Sequence, residues 1–288
     1  MRIEYYYDFS NQKEKYFSGL TFDVDGIPMV NYGGKIGLRY NPVTIAQYSL
    51  AYHSLFVGTK DERYLKIFSK CINWFLMYVS DYKNNTIVWF YNFDLTECGL
   101  KAPWISAMAQ GLAVSVLVRA NKLFGIKNYV DIAEKAINVF DVPVSEGGVM
   151  SFFPDNGIVF EEYPTSFSNS VLNGFIFSIL GLYDLYTFTE NKKAEMLFNK
   201  AINSLRNNIE RYDTNYWTRY DLRSDKRLSS IEYHILHIKL LDVLYEITRD
   251  TYFIELRNKW NGYYRSLFCK MHFGIIKFFQ KIFKLKYF

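Results

Sequence analysis

The sequence has few cysteines, and no apolar run in it is long enough to span a membrane. Its three cysteines, Cys71, Cys98 and Cys269, form no spaced motif, which favours reduced thiols and a cytoplasmic location. A spanning helix needs about 18 consecutive apolar residues. The opening MRIEYYYDFS also lacks the apolar segment of a signal peptide. We therefore expect neither a membrane-spanning chain nor a secreted, disulfide-stabilised one.

Motifs for phosphate and metal binding are absent as well. The glycine pairs Gly33-Gly34 and Gly147-Gly148 fit neither GxGxxG nor GxxxxGK. His234 and His237 have a spacing that metal ligands use, but no cysteine or third ligand stands near them. The sequence therefore predicts no metal site and no nucleotide or metal cofactor.

Acidic residues are missing from the last nineteen positions, 270–288, which contain five lysines. The whole chain has 34 Lys and Arg against 29 Asp and Glu, so the rest of the chain is neutral. A neutral body disfavours nucleic acid as a partner, because nucleic-acid binding proteins carry extended basic surfaces.

The same tail has an apolar stripe at helical spacing. On a helix, Ile275, Ile276, Phe279, Ile282 and Phe283 share one side, and the lysines lie mostly on the other. This pattern is typical of an interfacial helix and predicts a peripheral contact with anionic membrane. Two alternatives stay open, namely a ninth helix packed on the protein and a contact with an acidic polymer.

The body of the chain has helical periodicity. Asn41-Pro42 begins a helix that should end at Gly58, and paired helical segments occupy 41–80, 104–140, 168–212 and 232–267. Alternate helices are the more apolar, and β-like segments recur at 1–40, 86–91 and 216–222. This predicts a mainly α protein, an incomplete α/α toroid of about four helix pairs. We expect a β/loop segment at 1–40, a catalytic domain at 41–269 and a basic tail at 270–288.

One stretch combines polar groups with a buried helix. EEYPTSFSNSVLNGFIFSILGLYDLY begins at Glu161, and its proline biases Tyr163 toward an extended conformation. The helix that follows is apolar nearly all round, so it should be buried. Glu162 and Tyr163 are therefore expected at the mouth of an inner helix.

A second polar group follows in RYDLRS and EYHILHI. Arg223 can form a fork for a carboxylate or sulfate, with a salt bridge to Asp221 as the alternative. Helical spacing places Tyr233 and His237 on the face of the neighbouring leucines. Hydrogen-bonded core histidines are the alternative to a substrate contact.

These segments resemble the C-terminal catalytic domain of the D-glucuronyl C5-epimerases. The similar blocks, in order, are YNPVTIAQYSL (40–50), LKAPWISAMAQG (100–111), EEYP with VLNGF and IxGLYDLY, RYDLRS (219–224) and EYHILHI (232–238). The resemblance runs from about Gly26 to about Tyr264. It implies an α/α barrel and an isomerase that converts D-glucuronyl to L-iduronyl units in a glycosaminoglycan-like polysaccharide.

The resemblance also implies residue roles. Tyr163 and Tyr233 would be the opposed acid/base pair, Tyr220 a third contributor and Glu162 a partner of the substrate carboxylate region. A phenol has a reference pKa of about 10, so a nearby Arg or protonated His would have to lower it. The substrate contacts that we expect are Arg223, His234, His237, Trp104, Gln110 and Asn173.

Other functions stay open at this stage. A polysaccharide lyase abstracts the same C5 proton but expels the C4 oxygen, and a decayed site would leave a non-catalytic polysaccharide-binding domain. A glycoside hydrolase needs two opposed carboxylates. Glu161 and Glu162 are adjacent and cannot flank a bond, although Asp221 could pair with one of them. An acidic polysaccharide is the expected partner, and the oligomeric state is left open.

Overall fold

The computed structural model describes residues 4–10, 17–224 and 227–285, except for the side chains of 281 and 283–285. These residues form mainly α-helices, as the sequence predicts. The helices are α1 (Pro42–Thr59), α2 (Glu62–Met77), α3 (Ala107–Phe124), α4 (Lys127–Ala136), α5 (Leu172–Thr189), α6 (Lys192–Asn208), α7 (Ile231–Thr248), α8 (Thr251–Arg265) and α9 (Leu267–Leu285). Within the described part of the chain, none of them is long and apolar enough to cross a membrane.

The first eight helices form the four predicted pairs. The first member of a pair is the more buried one; in α3, every residue from 107 to 120 is buried. The second member buries one stripe, which in α8 consists of Phe253, Leu256 and Trp260. The predicted alternation of apolar and amphipathic helices is therefore confirmed.

The start of α1 follows the sequence signal, but its end does not. The Asn41 side chain accepts a hydrogen bond from the Thr44 N–H at 3.2 Å, and Pro42 occupies the first turn. The predicted end at Gly58 is wrong by a short distance. The helix continues one residue further, to Thr59. Lys60 caps it in a left-handed conformation with a φ of 61°.

Two glycines let α3 and α5 approach each other closely. A Cβ on Gly111 would lie 2.6 Å from the Ser178 Cα, and a Cβ on Gly181 would lie 2.2 Å from the Gly111 carbonyl oxygen. Both distances are far below a normal van der Waals contact. The hydrogen side chain of glycine is therefore required where these helices cross.

A buried ion pair also links α3 to α5. Arg119 donates to the Asp184 carboxylate through both terminal nitrogens, at 2.5 and 3.1 Å. Tyr6 donates a further hydrogen bond to Asp184 at 3.0 Å, and the Arg119 guanidinium lies 4.9 Å from the Tyr5 ring centroid. Sequence periodicity gives no signal for such a pair, because an arginine in an apolar helix is normally expected at the surface.

Short antiparallel strands occupy the connections. They are β1 (Thr21–Phe22), β2 (Pro28–Asn31), β3 (Leu38–Tyr40), β4 (Ser80–Tyr82), β5 (Thr86–Val88), β6 (Met150–Phe152) and β7 (Ile158–Phe160), paired as β1-β2-β3, β4-β5 and β6-β7. The strands expected in 1–40 and at 86–91 are confirmed. The β-like segment 216–222 instead makes isolated bridges, Asp213 with Thr218 and Arg219 with Leu228.

The residues group into two compact units. Unit 1 comprises Met1–Ser168 and Gly174–Leu205, and unit 2 comprises Asn169–Asn173 and Arg206–Phe288. The strands and α1–α4 belong to unit 1, and α7–α9 belong to unit 2. The predicted division at 40 and 269 stays a prediction. The tail helix begins at Leu267, and Lys286 of the predicted tail lies outside the described residues.

Candidate functional site

The EEYP segment is held by backbone bonds on two sides in unit 1. It follows β7 directly, and the Glu161 N–H donates to the Val149 carbonyl at 2.8 Å. The Ala107 N–H at the start of α3 donates to the Glu161 carbonyl at 3.0 Å. These bonds fix the backbone from which Glu162 and Tyr163 project.

The two adjacent glutamates have different surroundings. Glu161 is fully buried, and its carboxylate accepts a hydrogen bond from the Ser168 hydroxyl at 2.5 Å. Glu162 is buried against α5, where a Cβ on Gly174 would lie 2.5 Å from its Oε2 and 2.8 Å from its Cβ. The absence of a side chain at Gly174 therefore creates the space that Glu162 occupies.

An aromatic cluster lies beside Tyr163. The Trp104 ring is 6.2 Å from the Tyr163 ring and stacks on Tyr91 at 4.0 Å with an interplanar angle of 9°. The Trp104 indole also donates to the Phe93 carbonyl at 2.9 Å. The Tyr91 hydroxyl donates to Asn41 at 3.0 Å. Trp104 is therefore held by contacts on several sides. We call Trp104, Tyr163 and Glu162, which is next to Tyr163 in sequence, the unit 1 cluster.

Gln110 lies inside the core. It is fully buried, accepts a hydrogen bond from the Trp89 N–H at 3.0 Å and donates to the carbonyls of Ile87 at 2.9 Å and Ala136 at 3.3 Å. Its amide thus ties α3 to two neighbouring segments. This geometry gives the predicted substrate contact no support, because the side chain is used inside the core.

Two tyrosines meet in unit 2. The Tyr220 and Tyr233 rings pack edge to face with centroids 4.7 Å apart, and the Arg227 guanidinium lies 4.2 Å from the Tyr220 centroid. The Tyr220 backbone is fixed by bonds to Arg227, at 3.0 Å, and to Leu172, at 3.2 Å. Tyr233 is 38% exposed in the first turn of α7. Tyr233 is therefore not buried with the α7 leucines.

Asp221 links the two arginines of this region. Arg227 donates to its Oδ2 at 2.8 Å, and the Nε of Arg223 lies 3.4 Å from the same oxygen. The salt bridge considered as an alternative for Arg223 is therefore present. Both arginine side chains are about one third exposed, whereas the Asp221 side chain is 1% exposed. Two guanidinium groups therefore lie against one buried carboxylate, which is next in sequence to Tyr220.

Arg227 was missed by the sequence analysis. It stands three residues after the RYDLRS block, and its guanidinium lies 4.2 Å from the Tyr220 ring centroid. The only sequence signal was a third arginine in RYDLRSDKR. We call Tyr220, Tyr233, Asp221, Arg223 and Arg227 the unit 2 cluster.

His234 and His237 lie in the core of unit 2. Both are fully buried, and their Nδ1 atoms lie 2.8 and 3.1 Å from the Thr218 hydroxyl. His234 also stacks on Trp217 at 3.9 Å. Burial lowers the pKa of His234 to about 4 and that of His237 to about 3, so both are neutral at pH 7.

These histidines fit the hydrogen-bonded core alternative. A direct contact with substrate would require exposed ring atoms, which neither residue has. Asn173, also expected to contact substrate, is buried at the second position of α5. Its role and those of the other expected site residues stay predictions. Within the described residues, no group of three or more His, Cys, Asp or Glu side chains could hold a metal ion.

Comparison with solved structures defines the fold. A cellobiose 2-epimerase from Bacillus thermoamylovorans superimposes with a TM-score of 0.59, over 88% of this chain and 70% of its own, at 12% sequence identity. At this identity the similarity is one of fold alone. The chain is an α/α toroid, as predicted.

Sequence comparison then identifies the family. The family model described as D-glucuronyl C5-epimerase C-terminus matches residues 83–262. D-glucuronyl C5-epimerase of Caenorhabditis elegans is 38% identical over 177 residues, which cover 56% of this chain and 29% of that protein. An uncharacterized protein of Methanocaldococcus jannaschii is 32% identical over 184 residues, covering 62% of this chain and 59% of that protein. The chain belongs to the D-glucuronyl C5-epimerase C-terminal family, and it spans less than two thirds of these relatives.

Proposed function

We propose that this protein is a uronyl C5-epimerase that interconverts D-glucuronyl and L-iduronyl residues in an acidic polysaccharide. The observation that carries the proposal is the unit 2 cluster, which lies within the family match. There, two phenols in ring contact stand beside two partly exposed guanidinium groups. This arrangement provides acid/base groups together with positive charge for a substrate carboxylate.

The chemistry of C5 inversion requires both features. A base removes the C5 proton, and the electron pair of the C–H bond moves into the adjacent carboxylate. The resulting dianion is stabilised by cationic donors, and a proton then returns to C5 from the opposite face. No oxidant or reductant is needed. Preorganised donors aimed at developing charge usually make the largest contribution to such catalysis.

The arginines are suited to the carboxylate. Arg223 and Arg227 both contact the buried Asp221, and the Arg227 side chain remains about one third exposed, so its outer N–H groups can bind a second carboxylate. Arg227 also places its positive charge 4.2 Å from the centroid of the Tyr220 ring. We infer that Tyr233 exchanges a C5 proton, with Tyr220 as a further contributor, and that the arginines bind the uronate.

The unit 1 cluster is suited to contacts with a sugar ring. Trp104 presents a rigid aromatic surface, and Tyr163 adds a phenol beside it. Glu162 supplies a carboxyl group adjacent in sequence. The assignment of Tyr163 and Tyr233 as the acid/base pair stays a prediction, as does a cytoplasmic location.

Incubation with heparosan in D₂O tests the proposed reaction. An epimerase incorporates deuterium at C5, which NMR or mass spectrometry detects, and iduronyl signals appear as the reaction proceeds. A lyase would instead generate ultraviolet absorbance from an unsaturated uronate. A non-catalytic binding domain would retain the polymer and change neither signal. Absence of C5 deuterium across glucuronyl polymers of different sulfation would overturn the proposal.

A further inference from the structure

The helix α9 has an unusually apolar exposed face. Six of its large apolar side chains are 50–79% exposed, and they recur at helical spacing on one side. We call them the exposed α9 face: Leu267, Phe268, Met271, Ile275, Phe278 and Phe279. Singly exposed apolar residues are common, but a contiguous apolar patch marks a site of interaction.

The opposite side of α9 packs on unit 2. His272 stacks on Tyr216 with ring centroids 4.1 Å apart, and Phe273 stacks on Trp217 at 4.4 Å. The Lys277 ammonium donates to the Leu228 carbonyl at 2.6 Å. The packed ninth helix considered earlier is therefore correct for this side. These contacts fix the rotation of the helix and leave the exposed α9 face outward.

The exposed face differs from the stripe that the sequence predicted. Ile275 and Phe279 belong to both, whereas Ile276 is half-buried on the packed side. The real face begins at Leu267, before the predicted tail. The Phe283 side chain lies outside the described residues.

The charge of this segment limits what can cover the face. Residues 270–288 contain five lysines and no acidic residue, and they carry the whole positive excess of the chain. A second copy of α9 would bring a segment with the same charge, which disfavours self-association. An acidic polymer would satisfy the lysines but would leave six large apolar side chains in water. An anionic lipid surface satisfies both groups.

We propose that α9 docks this protein on anionic lipid. The exposed α9 face inserts among the upper acyl chains, and the lysines of this segment other than Lys277, which is bonded to Leu228, contact the lipid phosphates and carboxylates. One side of the helix is occupied by unit 2, so the helix lies along the membrane surface. Apolar and aromatic residues on one side with lysines nearby are the features of interfacial helices, and each lysine adds to the attraction of an anionic leaflet.

A pair of matched double variants of the full chain tests this proposal. Met271→Ser with Phe278→Ser removes two side chains of the exposed α9 face. Met77→Ser with Phe152→Ser removes the same residue types from exposed positions of unit 1, where they are 79% and 51% exposed. Co-sedimentation is measured with vesicles of pure phosphatidylcholine and with vesicles containing 30% phosphatidylserine.

We expect the parent and the unit 1 variant to bind the phosphatidylserine vesicles equally, with weaker binding at high salt. The α9 variant should bind at least tenfold more weakly. Equal binding by the α9 variant, or no binding by the parent, would overturn the proposal. Loss of a dimer by the α9 variant in light scattering, without lipid binding by the parent, would identify a second copy as the occupant instead.

A second measurement leaves the exposed α9 face apolar. Phe278→Trp keeps an aromatic side chain at an exposed position and adds a fluorescent reporter. Lipids brominated in the upper acyl chain should quench this variant more strongly than the parent. Equal quenching would contradict insertion of the exposed α9 face.

Discussion

The Arg227 guanidinium lies 4.2 Å from the centroid of the Tyr220 ring and, through Nη2, donates a 2.8 Å hydrogen bond to Asp221. One arginine thus contacts a phenol ring and a buried carboxylate at the same time. Because Asp221 fixes the guanidinium, its charge is preorganised beside Tyr220. This relationship makes Arg227 the most informative residue for the proposed chemistry.

Arg227→Met should lower turnover by about 100-fold, the usual effect of removing one preorganised charge-stabilising donor. The turnover of Arg227→Lys should lie between that of the parent and that of Arg227→Met, because lysine keeps the positive charge but lacks the planar guanidinium fork. C5 deuterium incorporation at saturating heparosan measures both. Arg249→Met is the matched control, since Arg249 also lies near a tyrosine ring, that of Tyr245, at 5.9 Å. Full activity in Arg227→Met would contradict the assigned role.

Gly174→Ala should impair activity through Glu162. The new methyl group would lie 2.5 Å from the Glu162 Oε2, so the carboxylate has to move. We expect turnover to fall about tenfold or more, which corresponds to about 1.4 kcal/mol in the activation free energy. Gly262→Ala in α8 is the control, because a Cβ there meets nothing within 4 Å. Normal activity in Gly174→Ala would show that the position of Glu162 is unimportant.

The buried histidines predict a loss of stability in acid. Burial lowers the pKa of His237 to about 3, whereas an unfolded histidine has a pKa of about 6.5. The unfolded chain therefore binds more protons, so the stabilisation is complete above about pH 6.5 and decreases as the pH falls toward 3. His237→Gln should reduce the slope of unfolding free energy against pH by about 1.4 kcal/mol per unit between pH 4 and 6. Urea unfolding at several pH values measures this slope, and an unchanged slope would contradict the assignment.

The buried Arg119–Asp184 pair predicts a large effect on stability. Asp184→Ala leaves the Arg119 guanidinium without its carboxylate in the core of unit 1. Loss of one partner of a buried pair typically costs about 3–5 kcal/mol. Lys101→Ala, which breaks the exposed pair with Asp94, should cost less than about 1 kcal/mol. Thermal and urea unfolding of the two variants compare these effects, and similar losses would contradict this view of the pair.

The helix pairs could be predicted from sequence because burial imposes periodicity. The apolar helix α3, the amphipathic helix α8 and the cap at Asn41 all follow from local patterns. The exposure of Tyr233 could not be predicted in this way. Spacing places a residue on one face of a helix but does not show where along the helix the core ends. Tyr233 lies in the first turn of α7, beyond the buried part of the helix.

The roles of polar residues were harder to predict for a related reason. Gln110 and His237 have the residue types of a binding site, yet both are used in core hydrogen bonds. Arg227 belonged to no quoted motif, and its contact with Tyr220 depends on the backbone bridge between residues 219 and 228. Contacts of this kind arise from tertiary structure and leave no periodic signal.

The measurement that tests the account most directly is C5 deuterium incorporation by the Tyr163→Phe and Tyr233→Phe variants. Each substitution keeps the ring and removes only the hydroxyl that could exchange a proton. Both variants are expected to fold normally and to lose C5 exchange, with a smaller or equal loss in Tyr220→Phe. Tyr245→Phe, at the other end of α7, should keep parental exchange. Near-parental exchange in both Tyr163→Phe and Tyr233→Phe would contradict the claim that phenols carry the C5 proton.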